Sequence, residues 1–390
     1  MDSKIENLIN FAQGIHNKEN GKELYDKYKS DIKNVTPKDI FLIENEQLKM
    51  GLTSKEVLAS VDKLINVFYE SLASYEWEKP EEGTFIYYLM EENKGLRTHL
   101  DSFKVIIKKQ EYMGDRKIIL EVLKELLAYN EHLQKLENVL FPYMEKKMDR
   151  FEGLKIMWSL HDDVRKHLKE VIEKVEKGNM NRESFNIDLG ALFYNLHGLI
   201  NKQELILFPA ATEVFNETEF KAMHMQSFDY EFAFIEAPEK PEIKLSEIND
   251  GAVKEGVIQM ETGKLTFEQI ETMINAMPVD VTFINEDDKV AFFSRPNERI
   301  FKRSAAIIGR DVRNCHPPES VHVVEEILEN FKKGKRDSES FWLKMKGMFI
   351  LIQYFAVRND KGDYLGTLEV SQEVSEIRSL EGEKRLLGDK

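Results

Sequence analysis

The spacing of hydrophobic residues changes near residue 266. Before that point, apolar residues recur three and four positions apart, as in Val57, Val61, Leu64 and Phe68, which is the period of an amphipathic helix. After it, alternating or continuous apolar runs are separated by turn signals such as Asn359–Gly362, which is typical of strands. The pattern therefore predicts an all-α first part and an α+β second part.

Four stretches of the chain differ in their predicted organisation. Residues 1–75 are predicted to form an uncharacterised domain of short helices, and residues 76–230 four longer helices. Because short connections join the longer helices, the pattern favours an antiparallel four-helix bundle. Residues 231–265 contain prolines and no periodicity, so we expect a linker there. Residues 266–390 are predicted to form the α+β domain with a C-terminal helix.

The individual elements follow from the same spacing and from the turn residues between them. The longer helices are predicted near residues 84–110, 116–147, 155–177 and 184–215. In the α+β domain, strands are predicted at 279–285, 290–294, 340–345, 349–358 and 364–372, with helices at 321–333 and 374–387. This order predicts an antiparallel sheet interrupted by one helix.

Composition and charge exclude several classes of protein. Apolar residues make up 42% of the 390 residues, which is enough for real cores. The formal net charge of −15 and the lack of a basic cluster argue against nucleic-acid binding. Cys315 is the single cysteine, which fits a reducing compartment. The N-terminus lacks the pattern of a signal peptide, and no apolar run is long enough to span a membrane, so we expect a cytoplasmic protein.

Histidines and carboxylates converge on the predicted core of the bundle. At about 100° per residue, they fall within or at the edge of the apolar stripe of each helix, and most lie within roughly 10 Å of one height. A buried carboxylate is costly unless it is paired or binds a metal. Imidazole and carboxylate donors without thiolate suit iron or manganese, with zinc as an alternative. The predicted metal ligands are His132, His161, Glu204, Glu137, Glu92, His197 and His99.

An ordinary structural role is the alternative for each of these residues. A single histidine at the edge of an amphipathic helix is usually a satisfied surface or core residue. Glu137 is far enough from the centre of its stripe to be a solvated acid, and His99 lies about a turn from the main layer.

Three segments of the bundle resemble the hemerythrin-like family. They read NEHLQKLENVLFPYMEK from Asn130, MWSLHDDVR from Met157 and KQELILFPA from Lys202. The segments NCHPPESVHVVEEIL, FWLKMKGMFILIQYFAVRND and YLGTLEVSQEVSEI resemble a PAS domain. The whole chain resembles one architecture: an uncharacterised helical domain, a hemerythrin-like bundle and a PAS domain. The resemblance implies a non-haem iron bundle with His132, His161, Glu137 and Glu204 at family ligand positions.

The chain departs from that family pattern at several positions. Relatives usually carry H-P-V-H-T where this chain has Thr84–Tyr88, and Cys and His where it has Val61 and Leu64. The wider family often has Glu at the position of Leu136, and usually reads K-E-E where this chain has Gln203 in the middle. The resemblance therefore implies either a di-iron centre or a mononuclear or vestigial site.

The PAS-like part contains candidate ligand-binding residues. The resemblance implies a small, curved antiparallel sheet that binds a ligand or a partner. Apolar residues on such strands more often pack in the hydrophobic core than bind a ligand. The tentative pocket residues are Phe283, Phe293, Cys315, His316, Trp342 and Tyr354. Cys315 and His316 are residue types that bind haem iron, but the prolines that follow them favour a structural role at the start of a helix.

Three functions remain open at this stage. The first is a sensory or regulatory protein whose iron responds to oxygen, nitric oxide or redox state. The second is an iron-dependent oxidase or repair enzyme, and the third a metal-free interaction scaffold. No enzymatic output motif follows the PAS-like part, which favours a non-enzymatic role that acts through an unknown protein partner or through self-association. Apolar flanks of the PAS-like part predict that it forms a homodimer: Ile270, Met273, Ile274, Met277, Ile377, Leu380, Leu386 and Leu387.

Overall fold

Helices make up the regular structure of the first part of the chain, whereas the strands lie in the second part. The computed structural model describes residues 3–109, 116–148, 152–178, 181–240, 256–260 and 262–382, with side chains at 60–62 and 108–109 left out. The chain divides into two units, Met1–Pro241 and Glu242–Lys390. The prediction of an all-α part followed by an α+β part is confirmed.

Four helices precede the predicted bundle and are set by local sequence signals. Thr36 and Asp39 form a capping box around a proline at the first helical turn, and Thr53 and Glu56 form another. The helices are α1 (Ser3–His16), α2 (Gly21–Ile32), α3 (Pro37–Lys49) and α4 (Ser54–Ala73).

Four longer helical stretches follow, which we call the bundle helices. They contain α5 (Phe85–Lys109), α6 (Arg116–Glu125), α7 (Tyr129–Lys135), α8 (Phe141–Lys147), α9 (Gly153–Lys177), α10 (Arg182–Lys202) and α11 (Phe208–Val214). The second stretch, predicted as one helix, has a 3-10 turn before α7 and a π-helical turn before α8. A second π-helical turn joins α10 to α11. A short helix, α12 (Glu217–Ser227), packs against α5.

One continuous apolar core joins the N-terminal helices to the bundle helices. It includes Phe11 and Phe68 from the N-terminal helices and Phe103 and Phe141 from the bundle helices, all fully buried. The contacts between α4 and α9 and between α3 and α9 carry this core across the predicted boundary at residue 75. Residues 1–75 are therefore part of the packing of the bundle.

Glu44 is buried where α3 meets the bundle helices. It lines a small, mainly apolar cavity with Phe41, Met157 and Lys202. Burial raises the pKa of Glu44 to about 8, although the nearby charge of Lys202 acts in the opposite direction. The carboxyl group is therefore protonated in the folded protein at neutral pH.

The second unit contains an antiparallel five-stranded sheet with the order β4-β3-β7-β6-β5. Its strands are β3 (Asp280–Asn285), β4 (Val290–Phe293), β5 (Ser338–Met345), β6 (Met348–Arg358) and β7 (Tyr364–Glu373), preceded by a hairpin of β1 (Val257–Met260) and β2 (Gly263–Thr266). The helices are α13 (Phe267–Asn275), α14 (Val321–Lys332) and α15 (Ser375–Ser379). Each predicted strand of the sheet is present within two residues of its predicted ends.

One face of this sheet packs against α14. Ile284 of β3 packs with Val312 and with Leu328 of α14. The hairpin β1–β2 lies in the range predicted as linker, and most of the remainder of that range lies outside the described residues. Of the helix predicted at 374–387, the structure has α15, and residues 383–387 lie outside the described part.

Within the described residues, none of the helices combines the length and the apolar character that crossing a bilayer requires.

The buried acid Glu44 predicts a specific pH dependence of stability. Its pKa is about 8 in the folded protein and about 4.5 when exposed, so the folded state binds the proton more tightly. Stability is then lost as pH rises between these values. We expect the free energy of unfolding of Glu44→Gln to exceed that of the wild type at pH 8.5 by a few kcal/mol, on the order of the linkage term. At pH 4 the two proteins should be equally stable, and urea denaturation measures both values.

The matched control is Glu70→Gln, because Glu70 is an exposed acid on α4. It should have the same effect at both pH values. A Glu44→Gln variant whose stability follows the wild type at every pH would contradict the buried, protonated state of Glu44.

Candidate metal centre

The two π-helical turns occupy equivalent positions in a repeated sequence. One repeat reads KLENVLFP from Lys135 and the other KQELILFP from Lys202. Proline lacks the N–H that an α-helix needs and clashes with the carbonyl four residues earlier. The turns Leu136–Leu140 and Gln203–Leu207 each end one residue before the Phe-Pro pair, so a wider turn accommodates the proline in both helices.

A second repeat lies on the helices that face these turns. It reads LRTHL from Leu96 on α5 and VRKHL from Val164 on α9. Arg97 donates to both oxygens of Glu204 at 2.7 and 2.9 Å. Arg165 donates to Glu137 Oε2 at 2.8 Å. The arginine of each helical hairpin therefore binds the glutamate of the other hairpin.

A buried hydrogen-bonded network connects three of the bundle helices. Tyr129 donates its hydroxyl hydrogen to Asn93 Oδ1 at 2.8 Å, and Asn93 Nδ2 donates to Gln203 Oε1 at 2.9 Å. His132 Nε2 lies 3.0 Å from the same Gln203 oxygen, and its ring stacks on Tyr129. Burial raises the pKa of Tyr129, with Gln203 acting in the opposite direction, so the phenol stays protonated. The network fixes the orientation of His132.

Glu92 and Lys135 continue this network as an ion pair. Glu92 is 0% exposed and Lys135 1% exposed. The Lys135 ammonium donates to Glu92 Oε1, and His132 Nδ1 lies 2.8 Å from Glu92 Oε2. The backbone N–H of Ala233 also donates to Glu92 Oε1, at 2.7 Å. Both oxygens of this carboxylate are thus engaged by groups of the chain.

His161 is held by the second buried carboxylate. Its Nδ1 lies 2.8 Å from Glu137 Oε1, while Arg165 binds the other oxygen. Burial disfavours the ionised Glu137, but Arg165 and His161 outweigh it and lower the pKa to about 2. Burial lowers the pKa of His161, so its neutral form donates from Nδ1. Its Nε2 is buried and has no hydrogen-bond partner among the described residues.

The other predicted ligands have different partners. Glu204 is partly exposed and is bound by Arg97. His197 is half-buried, with Nε2 3.3 Å from the Lys104 ammonium. His99 bonds to the Gly95 carbonyl at 3.0 Å through Nδ1. The structure thus brings Glu92 to His132 and Glu137 to His161, and leaves Glu204, His197 and His99 in separate contacts.

Sequence reasoning did not identify several residues that decide the chemistry of the core. Gln203, not Glu204, contacts His132, and Lys135 and Arg165 bind the two buried carboxylates. A signal for them was present in the sequence. Aligning the two Phe-Pro repeats places Gln203 opposite Leu136 and Lys135 opposite Lys202, which marks all four as equivalent core positions.

The three carboxylates of this set are not free to act as ligands of an iron centre. Among the described residues, no group of three or more His, Cys, Asp or Glu side chains is close enough to hold a metal ion. Each of the three acids is bound by a cationic side chain: Glu92 by Lys135, Glu137 by Arg165 and Glu204 by Arg97. At about 4 Å and an effective dielectric constant of about 20, two like unit charges repel by roughly 4 kcal/mol, and a divalent ion doubles this. A metal ion at any of these carboxylates would have to displace a cation of the chain.

The tentative PAS pocket residues lie on both faces of the sheet. Phe293 and Cys315 pack with Val290 and Ile307 in a small core cluster. Phe283 pairs with Phe292, one residue out of phase with Phe293, so it lies on the opposite face. Trp342 is 66% exposed. The sheet therefore separates Phe283 from Phe293.

Tyr354 and His316 lie near charged groups of the second unit. Burial raises the pKa of Tyr354, and the neighbouring Glu369 acts in the same direction. Burial lowers the pKa of His316, and Arg303 and Arg310 act in the same direction. Both side chains are therefore neutral at pH 7.

The two crossed arginine–glutamate pairs predict a graded loss of stability. Arg165 and Glu137 are 21% and 6% exposed, whereas Arg97 and Glu204 are 36% and 21% exposed. Removing one partner of a buried pair leaves the other charge without compensation. We expect Arg165→Met to lower the free energy of unfolding by roughly 3 kcal/mol and Arg97→Met by about 1 kcal/mol, measured by urea denaturation. Equal losses in the two variants would contradict this difference.

Two family models match the chain. The hemerythrin HHE cation binding domain matches residues 84–211, and the PAS domain matches residues 270–375. No curated protein matches the chain.

Three solved structures are similar to parts of the chain. The C-terminal domain of a protein from Streptococcus mutans is 31% identical, with 33% of this chain and 99% of that chain covered and a TM-score of 0.32. A PAS domain from Colwellia psychrerythraea is 12% identical, with 28% and 97% covered and a TM-score of 0.23. A sensory box sensor histidine kinase from Vibrio cholerae is 10% identical, with 27% and 90% covered and a TM-score of 0.22.

The family matches confirm the resemblance that the motifs of the bundle and of the second unit indicate. Residues 84–211 are therefore similar to the hemerythrin HHE cation binding domain family, and residues 270–375 are similar to the PAS domain family.

Proposed function

We propose that this protein is a sensory or regulatory protein in which a hemerythrin-like bundle and a PAS domain act together through protein association. The combination of the two domain families in one chain supports a sensory role. The observation that carries the proposal is the exposed apolar surface on both flanks of the PAS sheet. Met273 is 54%, Ile377 52% and Leu380 76% exposed, and none of the residues of α13 is buried.

Such a surface supports self-association of the PAS unit. Helix α13 is strongly amphipathic, with Ile270, Met273 and Ile274 at helical spacing, and Met277 follows shortly after its end. An amphipathic helix without a buried face within its own unit usually packs against a partner. Leu386 and Leu387 of the predicted flank lie outside the described residues.

The charge pairing in the bundle favours a regulatory role over an iron-dependent oxidase or repair enzyme. Such an enzyme needs donors that can bind iron and still leave a position for its substrate. Here Glu92, Glu137 and Glu204 are each held by a cationic side chain. We therefore propose that the bundle serves the regulatory role as a protein module rather than as a catalyst.

A mononuclear iron site is a second candidate, supported by one observation. His161 donates from Nδ1 to Glu137, which leaves the Nε2 lone pair in the core, as in many histidine ligands of metals. His132 would be the second ligand, and its Nε2 contacts Gln203. Iron at these imidazoles would serve oxygen, nitric oxide or redox sensing.

The association proposal predicts a dimer that depends on α13. We expect the full chain to sediment as a dimer at tens of micromolar, and Met273→Glu with Met277→Glu to sediment as a monomer, because charges would replace exposed apolar contacts. Circular dichroism should show an unchanged fold. The control is Val323→Glu on α14, an exposed position away from this flank, which should remain a dimer. A wild-type chain that is monomeric at these concentrations would refute the proposal.

A further inference from the structure

Lys135 has a fully buried ammonium group. It lies in the part of the chain that matches the hemerythrin HHE cation binding domain. Its exposed fraction is 1%, and its Nζ contacts Glu92 Oε1. The same ammonium lies 3.9 Å from the ring centroid of Phe232, which adds a cation–π contact. Lysine is rarely buried to this extent unless its charge is matched. The Glu92 carboxylate provides the matching charge.

Both oxygens of the Glu92 carboxylate are engaged by donors of the chain. Lys135 and the Ala233 N–H engage Oε1, and His132 Nδ1 engages Oε2. The carboxylate is 0% exposed. A metal ion that used Glu92 as a ligand would have to displace the ammonium, which the Phe232 ring covers.

We propose that Lys135 is the resident cation of this bundle: it compensates the buried Glu92 carboxylate and keeps this carboxylate from binding a metal ion. The positive charge is tethered to α7, so it is always present and needs no metal supply. The bundle core would then be stable and ordered in the metal-free protein. This inference goes beyond the proposed regulatory function, which concerns association of the PAS unit.

The tethered cation also holds the segment that leaves the bundle, Phe232–Phe234, which we call the exit segment. Phe232 covers the ammonium, and Ala233 donates to the carboxylate that the ammonium binds. Phe234 has φ of 63°, a left-handed conformation that is unfavourable for a bulky residue. Its side chain packs against Gly95, where an added Cβ would lie 2.7 Å from the Phe234 Cβ. The contacts around Glu92 therefore keep a strained backbone in place.

The first test measures metal content and thermal stability of the full wild-type chain. We expect less than about 0.1 equivalent of iron, manganese or zinc per chain after anaerobic reconstitution with ferrous iron, and a melting temperature unchanged by EDTA. A variant with Lys135→Met, Leu136→Glu and Gln203→Glu removes the resident cation, adds acids at two repeat-related core positions and is the positive control for metal uptake. Iron bound near one equivalent by the wild type, with a shifted melting temperature, would overturn the proposal.

The second test is a double-mutant cycle on the ammonium and its carboxylate. Lys135→Met and Glu92→Gln should each increase hydrogen exchange at the Ala233 amide at least about tenfold, since each breaks the contact that holds the exit segment. In the combined variant the increase in exchange should be much smaller than the two single effects together predict, because this variant leaves no unmatched charge. Lys94→Met, at an exposed pair with Glu91, is the matched control. Additive effects would overturn the role of Lys135 as counter-ion.

The role of Lys135 and the association of the PAS unit can be refuted independently. If Lys135→Met does not fold, the metal content of the wild type and the exchange rate in Glu92→Gln still decide the inference. Metal bound by the wild type would leave PAS association untouched, whereas a monomeric chain would leave the role of Lys135 untouched.

Discussion

The compensation of buried carboxylates is the constraint on which the helical unit depends. Glu92 and Glu137 lie in a core of large apolar side chains, where an unmatched negative charge would be too costly for a marginally stable fold. Lys135 and Arg165 provide the matching charges from neighbouring helices. Because these side chains must meet their acids at close range, they fix the heights of the helices relative to one another. Apolar packing alone would leave those heights less defined.

The fold could be predicted from the sequence because burying one face of a helix or strand imposes a regular spacing on its apolar residues. The change of spacing near residue 266 separates helices such as α9 from strands such as β6, and the turn after Arg358 marks a hairpin. The hairpin β1–β2 was not predicted, because its residues lie in a range whose composition is typical of a linker. The predicted association and the individual ligands remain predictions, since they depend on partners and ions.

The chemistry of the core could be predicted only in part. His132 and His161 stand out because imidazoles on an apolar face are unusual, and both are fully buried. The neighbouring acids were harder to place, because a π-helical turn adds a residue and shifts every later side chain by about 100°. A helical wheel that assumes a regular α-helix as far as Leu207 therefore predicts that Glu204 faces the core. In the structure, Gln203 contacts His132. Lys135 was missed for another reason: lysine on a helix is normally assigned to the solvent.

The crossed arginine–glutamate pairs have a consequence for how the bundle forms. Each helical hairpin contains an arginine and a glutamate, but neither Arg97 nor Arg165 is paired with the glutamate of its own hairpin. A hairpin that formed alone would lack the arginine that pairs with Glu137 or Glu204. These two ion pairs form only when the hairpins meet, which makes the docking of one hairpin on the other a cooperative step of folding.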